Sequence, residues 1–531
     1  METTTFTGPN YAYNYSAIQM VLPLDLSFII DKSDPVVSFV EAIKEVNLSE
    51  YVKPITSNNT NSHDRTMLLK VILFAYSENK RSLSEITNLC KTDIRYIWLS
   101  NEEKPSHMAF QRLMNQLTTS IDEVFFNINK ALIGEVNINK DIQFIDGTKI
   151  EANAHKNSFV YKKRIINARE SLYHKISMII HNINIAYGYH YPIKNTYCAQ
   201  ELGYIAQYLM ETMVFLETNI VYGKGHRKDL IQKHYDEILD YYLKLDEYEY
   251  WLDIIGNRNS CSKIDHDATF MATKWDYYNQ SGLTRPCYNP QIAVSDGFIV
   301  NADIYQNPTD TLTYIPFMQR YYEHYGCYPK WPVADAGYGS YDNYMFNIRN
   351  SIELVQKYNM YNKEKDQKFK KKKFHTYNWE INEEGYKVCP EGRIFSVFEK
   401  DIYKHSGNEL QIKQVYTEPK KCEGCPFISE CTKNGKYKSI YVDVVQRELY
   451  QKVNSNLSTE FGKWLKRQRC AQVEGAFGSI KQNSKFTRFT RRGLKNVKME
   501  FLLVCLGYNL RKYHQFRMEK YIKPSKKLET N

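Results

Sequence analysis

The chain has 531 residues, 43% hydrophobic and 25% charged, with a formal net charge of +11. Its length predicts about two to four domains rather than one compact unit, and no apolar run approaches the roughly 18–20 residues of a spanning helix. The first residues are polar and rich in Thr and Asn, without the basic-then-apolar order of a signal peptide, so a cytoplasmic protein away from the membrane is expected.

In chain order, residues 1–34 read as a loose lead. From 35 to 133 the apolar spacing is helical; the stretch 66–76 has a clear inward face, and Ser82 and Ser84 sit at cap positions, predicting an all-α N-terminal domain. At Asp141 the period changes. Residues 142–145 predict a short strand ending at Asp146-Gly147, and 162–255 return to a helical pattern read as an insertion. Strands are predicted at 288–294 and 298–305, joined by the hairpin signal Ser295-Asp296-Gly297. A helix capped by Thr309 or Asp310 runs to Tyr325, followed by a strand at 331–334, a helix at 341–350 and a strand at 352–356. This order predicts an α/β fold, a mixed sheet flanked by helices, built from 134–161 and 256–360. Residues 361–450 read as a Lys-rich linker and a Cys-containing insertion. Residues 451–515 carry helices at 459–482 and 501–512, and 516–531 form a basic tail.

The charge is concentrated. Residues 463–512 contain 13 Lys or Arg and only two acids, Glu474 and Glu500, while the remainder of the chain is balanced. Phe486, Phe489 and apolar helix positions interleave this block, so it reads as a structured basic surface of the kind that meets phosphates. Its candidate DNA contacts are Lys466, Arg467, Arg469, Lys481, Lys485, Arg488, Arg491 and Arg492.

Three acids stand out. Asp146 and Asp335 each end a buried-looking strand; alone, each is an ordinary Asp-Gly or Asp-x-Gly turn, but reactive groups gather at the carboxyl ends of strands in α/β sheets. Glu474 lies beside a stripe of Val473, Phe477 and Ile480, and alone would pair with Lys466, Arg467 or Lys481. Three clustered carboxylates repel, and a divalent cation removes that cost. Hard oxygen donors suit Mg2+ or Mn2+, and two such ions support in-line attack on a phosphate. Asp146, Asp335 and Glu474 are therefore the candidate catalytic and metal-binding residues.

The stretches Phe144-Ile145-Asp146-Gly147-Thr148-Lys149-Ile150-Glu151-Ala152-Asn153, Ala334-Asp335-Ala336-Gly337-Tyr338 and Arg469-Cys470-Ala471-Gln472-Val473-Glu474-Gly475-Ala476-Phe477 resemble insertion-sequence transposases of the DDE type. The branch concerned has an N-terminal helical domain and a Cys-bearing insertion. Arg488-Phe489-Thr490-Arg491-Arg492-Gly493-Leu494, Asn509-Leu510, Arg81 to Ile86 and Trp98-Leu99 fit as well; the resemblance is weakest in 162–255. It implies an RNase H-like core with Asp146 on the first strand, Asp335 after the fourth and Glu474 on a later helix. It also implies nicking at element ends followed by attack of a 3′-hydroxyl on target DNA. The implied partner is double-stranded DNA, both terminal inverted repeats and target, with a homodimer expected from the need to synapse two ends, nucleoid association, and residues 35–133 reading the ends. Related transposases carry a Tyr, Arg, Glu, Lys signature. Glu474 and Lys481 keep its spacing, but the Arg position falls on Cys470 and the Tyr position on Arg467, leaving Arg469 as the neighbouring guanidinium. A catalytically inactive DNA-binding protein and a metal-dependent nuclease without strand transfer are the alternative readings.

Cys389, Cys422, Cys425 and Cys431 are spaced C-x32-C-x2-C-x5-C. Four thiolates suit a tetrahedral structural Zn2+; free thiols and an iron–sulfur cluster remain open on spacing alone.

Overall fold

The computed structural model describes residues 30–53, 63–223, 226–273, 283–407, 409–432 and 436–522, so most of the loose lead and the end of the basic tail lie outside them. Six helices open the described chain: α1 (Pro35–Ile43), α2 (Arg65–Ser77), α3 (Leu83–Thr92), α4 (Ile94–Leu99), α5 (His107–Leu117) and α6 (Ile121–Val136). Local chemistry sets their starts. Asp34 accepts from the Val36 N–H with Pro35 in the first turn, and Asp64 accepts from the N–H groups of Thr66 and Met67. Ser82 occupies the N-cap of α3 as expected, but its side chain makes no capping bond, and Ser84 lies inside the helix. Ten of the 13 residues of α2 are buried, so this helix is packed on nearly every side.

The sheet begins with β1 (Ile142–Gly147), β2 (Ile150–Glu151) and β3 (Phe159–Tyr161). The predicted insertion then follows as α7 (Lys162–Tyr187), α8 (Ala199–Phe215) and α9 (Leu230–Ile255), with an apolar core of its own that includes Ile176, Leu202, Leu209 and Ile238. Its exit strand β4 (Ser260–Ser262) pairs antiparallel with β3 at its entry, which ties the neck of the insertion. The chain continues through β5 (Thr269–Ala272), the long β6 (Thr284–Ser295), β7 (Phe298–Tyr305), α10 (Tyr314–Tyr325), β8 (Trp331–Val333) and α11 (Tyr341–Arg349). Across the main sheet the order is β7-β6-β1-β8; β7/β6 and β6/β1 are antiparallel, whereas β1/β8 is parallel. β2 and β5 add to the first half of β6.

Two expectations are corrected here. Residues 352–356 form no strand: Ile352, Leu354, Val355 and Gln356 are buried, but Pro332 on β8 has no N–H to give a ladder. The Gln356 side chain supplies the link instead, its amide donating to the Pro332 carbonyl at 2.7 Å. The helix expected from Thr309 or Asp310 is a short 3-10 turn, Asp310–Leu312, followed by α10, and neither side chain caps it.

The Lys-rich stretch is short helical turns rather than open linker, including α12 (Gln367–Lys370). The Cys-containing insertion comprises β9 (Glu380–Ile381), β10 (Lys387–Val388), β11 (Ile394–Phe395), β12 (Val397–Ser406), β13 (Glu409–Thr417), α13 (Ile428–Cys431) and β14 (Ser439–Val442), arranged as two three-stranded sheets. Then come α14 (Val444–Ser458), α15 (Glu460–Gly478) running into a π-helical turn at Ser479–Asn483, and α16 (Leu494–Arg517).

α16 is twice the length read from sequence because its start is fixed from afar: the Leu494 N–H donates to Asp267 Oδ2 at 2.8 Å and the Gly493 N–H to Asp265 Oδ1 at 3.1 Å. Its middle joins the N-terminal helices to the sheet. Buried Asn509 accepts from the Ile299 N–H and donates to the Ile299 carbonyl and to Asn129 Oδ1, all at 2.8 Å. Consequently α1–α6, the sheet and α14–α16 share one continuous apolar core rather than two. Among the described residues no helix is long and apolar enough to cross a membrane.

Candidate active site

The register of β1 against β8 builds the centre. Ile142, Gln143 and Phe144 pair with Trp331, Pro332 and Val333, so Asp146 and Asp335, each two residues further on, stand at the same level at the carboxyl ends of neighbouring parallel strands. Side chains alternate with a period of two, so both follow the face of Phe144 and Val333. The sequence-predicted pair is thus brought together. Asp146 is largely buried, and burial pushes its carboxyl up to about 6; Asp335 and Asp310 add to that rise, while Arg469 and the Gly147 N–H oppose it.

Asp310 is the group that sequence reading missed, having taken it for a helix cap. Its Oδ1 accepts from the Asn289 amide at 2.8 Å and the Gln291 amide at 2.9 Å, and the buried Tyr338 hydroxyl donates to Gln291 Oε1. Gly147 makes room for it: an added Cβ would stand 2.8 Å from Asp310 Oδ1 and overlap the Gln291 amide. Gly337 serves the other side, where a Cβ would lie 3.0 Å from Asp335 Oδ1 and 3.5 Å from Asp310 Oδ2. The Gly337 N–H donates to Asp335 Oδ1 at 2.8 Å, and the Thr311 hydroxyl donates to the Gly337 carbonyl at 2.8 Å, so the Asp310 turn and the Asp335 turn are tied. A cleft of about 510 Å³ opens beside them, lined by Gly147, Thr148, Lys149, Asn289, Asp310 and Lys481 among others.

α15 crosses this sheet, with Leu465, Val473, Ala476 and Phe477 buried and Ile480 of the π turn continuing the stripe. On one flank Gln472 Oε1 accepts from the Gly297 N–H of the β6–β7 hairpin at 2.7 Å. Arg469, one turn before Gln472, reaches the aspartates, its Nη1 3.3 Å from Asp146 Oδ2, and from the π turn Lys481 donates to Thr148 Oγ1 and to the Lys149 carbonyl. Cys470, the next residue, is exposed. Glu474 precedes Lys481 by one heptad and shares its flank of the helix, but it is exposed. Among the described residues no three His, Cys, Asp or Glu side chains are arranged to hold a metal ion, so Glu474 is not drawn into contact with the aspartate pair.

The basic residues divide by what holds them. Arg488 donates to the Ala152 and Ala154 carbonyls and Arg492 to that of Asn153, so these guanidinium groups clamp the loop after β2. The Arg491 N–H and Thr490 bind the buried Glu500 carboxylate. Lys466 donates to the Tyr361 hydroxyl at 3.1 Å. Arg467 and Lys485 are exposed.

The four cysteines lie around one small core in the insertion, although among the described residues they too form no group arranged to hold a metal ion. Cys422 belongs to a small core with Trp379, Phe395 and Ile440, and Cys389, Cys425 and Cys431 pack against it. The Cys431 thiol is pushed up chiefly by burial, with Cys422, Cys389 and Cys425 each adding to the rise, so all four lie within electrostatic reach.

Residues 388–514 match the family described as transposase DDE domain, and residues 24–116 match that described as transposase domain (DUF772). The first match spans the cysteine cluster, α15 with Glu474, and most of α16; the second spans the helices up to α5. No curated protein and no solved structure gives a match.

Proposed function

We propose that this chain, a member of the insertion-sequence DDE transposases, cuts element ends and joins them to target DNA at a centre formed by Asp146, Asp335 and Glu474. The observation carrying this reading is the parallel β1/β8 register, which sets two aspartates side by side under a helix whose Glu474 falls in the matched DDE domain. The strand order, three antiparallel strands followed by a parallel one, agrees with an RNase H-like core.

The donor set suits Mg2+ or Mn2+: a partly buried pair of carboxylates, one pushed up to about 6 by burial and by its acidic neighbours, has a cost that a divalent cation relieves. When bound, such ions activate a water or 3′-hydroxyl and stabilise the leaving oxygen. Asp146 and Asp335 would hold them, with Glu474 completing the set from α15. Arg469, beside Asp146, orients that carboxylate and offers positive charge to the phosphate. Lys481 fixes the Thr148–Lys149 turn next to the same strand end. The helices α1–α6 are the proposed reader of the element ends, and a homodimer on DNA the proposed working form.

Labelled duplexes bearing the element ends, incubated with Mg2+ and the full chain, test this. Asp335→Asn and Glu474→Gln are each expected to lower both nicking and joining by at least about a thousandfold while leaving DNA binding within about threefold. Nicks without joined product would favour the nuclease reading, and binding without either would favour the inactive one. A fully active variant would remove that residue from the centre.

For the cysteine cluster we propose a structural Zn2+ held by Cys389, Cys422, Cys425 and Cys431. The supporting observation is a subdomain whose apolar core is little more than Trp379, Phe395 and Ile440 and therefore needs a staple. Elemental analysis of the purified chain is expected to find one zinc per chain, lost in Cys425→Ser and kept in Cys327→Ser, whose cysteine is exposed elsewhere. Full reactivity of all four thiols with no bound metal would contradict it.

A further inference from the structure

Beside the aspartate pair, cations outnumber the anions that could pair with them: Arg469 faces Asp146, but the lysines around it face no carboxylate among the described residues. Lys357 is half-buried and follows the buried 352–356 segment; its carbonyl lies against Gly339, where an added Cβ would overlap it, and Tyr358 bridges Gly339 in parallel. This holds Lys357 just past the Asp335 turn. Its ammonium is pushed below the usual lysine range, first by burial and then by Arg469, with Lys466 adding to the same effect. Arg469 itself is 14% exposed, and its Nη1 is buried, 3.3 Å from Asp146 but without a hydrogen bond. Next to them, Tyr361 is a hub: Lys466 donates to its hydroxyl at 3.1 Å, and the Lys365 ammonium sits 3.7 Å from its ring centre. Among the described residues no carboxylate lies within ion-pair distance of Lys357, Lys365 or Lys466. From Lys365 the basic track continues outward through the exposed Lys368, Lys370, Lys371 and Lys372.

We propose that Lys357, Tyr361, Lys365, Lys466 and Arg469 form a cradle for successive phosphates of the DNA strand being cut. The inference rests on the transposase reading and deepens it by assigning the substrate backbone a seat. Like charges held together in a partly dry site repel, and an anion removes that cost just as a cation does for the aspartates. A single free phosphate would engage one end of the cluster. The observed track instead has two linked groups, Lys357 with Arg469 at the aspartates and Lys466 with Lys365 around Tyr361, and then leaves the site along a lysine-rich surface. That spread matches a polyanion with one charge per phosphate. Tyr361, its hydroxyl engaged by Lys466, positions that ammonium and presents a ring face to the Lys365 ammonium. No sequence period marks these residues, since Lys357 and Tyr361 lie in irregular chain.

The test uses the full chain with Ca2+ in place of Mg2+ and a fluorescein-labelled duplex of the element end, read by anisotropy across a salt series. Lys357→Met is expected to weaken binding about tenfold and to make the salt slope shallower by about one, because one phosphate contact is lost. Lys357→Arg should restore most of the affinity, and Lys244→Met, on the distant insertion helix α9, should change nothing. Circular dichroism of each variant separates loss of contact from misfolding. A cleavage series adds an independent reading: replacing the phosphate next to the cut by a neutral methylphosphonate should slow the wild type about tenfold but slow Lys357→Met little further. Wild-type affinity and slope in a folded Lys357→Met would overturn the cradle. Unimpaired cleavage by Asp335→Asn would instead remove the catalytic reading while leaving the cradle standing, and absence of DNA binding by the wild type would remove both.

Discussion

Asp146→Asn is expected to abolish DNA cleavage and, at the same time, to make the metal-free protein more stable above neutral pH. The carboxyl of Asp146 is pushed up to about 6, chiefly by burial, with Asp335 and Asp310 contributing and Arg469 opposing. In the unfolded chain an aspartate titrates near about 3.9. The folded value is the higher one, so folding takes up a proton between these two pH values. The penalty for ionising Asp146 is therefore absent below about pH 4, grows as pH rises toward 6, and is complete above it. A shift of roughly two pKa units corresponds to about 3 kcal/mol. Asn keeps an acceptor for the Gly147 N–H, now 2.9 Å from Asp146 Oδ1, and carries no charge to repel its neighbours. Urea unfolding with chelator should show a gain of about 2–3 kcal/mol at pH 8 and none at pH 4. Added Mg2+ should stabilise the wild type and leave the variant unmoved, since only the wild type binds it in the folded state. Equal stability of the two chains at pH 8 would mean that ionising Asp146 carries no penalty in the folded chain.

The second large effect concerns the joint between the N-terminal helices and the sheet. At Gly507 on α16 an added Cβ would stand 2.7 Å from the Tyr76 carbonyl carbon and 3.1 Å from the Ser77 nitrogen, at the end of α2. These are backbone atoms and cannot rotate away. Arg511, one turn on, donates to the Ser77 carbonyl at 2.7 Å and holds the same helix end. Gly507→Ala gains about 1 kcal/mol in helix propensity but must separate the two helices, for an expected net loss of about 1–3 kcal/mol. Gly507→Leu should go further and release α2, measured as loss of the cooperative urea transition and as rapid proteolysis between α1 and α6. Gly134→Ala provides the contrast. Nothing lies within 4 Å of its Cβ position, so a gain of about 0.5–1 kcal/mol is expected. Similar behaviour of the two alanine variants would show that the close approach carries no weight.

How far the sequence reveals this centre depends on whether the signal is local. The strand ending at Asp146 and the one ending at Asp335 are visible because apolar runs stop at Asp-Gly and Asp-x-Gly turns, and the parallel register then follows from their pairing. Glu474 is visible as an acid isolated among bases, although nothing local says how near it stands to the aspartates. Asp310 was hidden because Pro-Thr-Asp reads as a helix start, and only folding shows Asn289, Gln291 and Gly147 shaped around its carboxylate. The strand expected at 352–356 failed for want of one N–H, at Pro332 on the neighbouring strand. The apolar spacing of 66–76 predicts one inward face for α2, whereas ten of its 13 residues are buried, because it packs on nearly every side. The N-terminal helices share their core with the sheet and α16, so the domain seen as separate in the pattern belongs to the main core. The start of α16 was misplaced for a similar reason, its caps being aspartates more than two hundred residues earlier.

Crystals of the full chain grown with Mn2+ and element-end DNA, with data collected at the manganese edge, measure the central claim most directly. Anomalous peaks bridging Asp146 and Asp335, with Glu474 rotated in from α15 as a further ligand, are the predicted result. Manganese bound elsewhere, or an aspartate pair that stays metal-free with Glu474 pointing to solvent beside bound DNA, would contradict it.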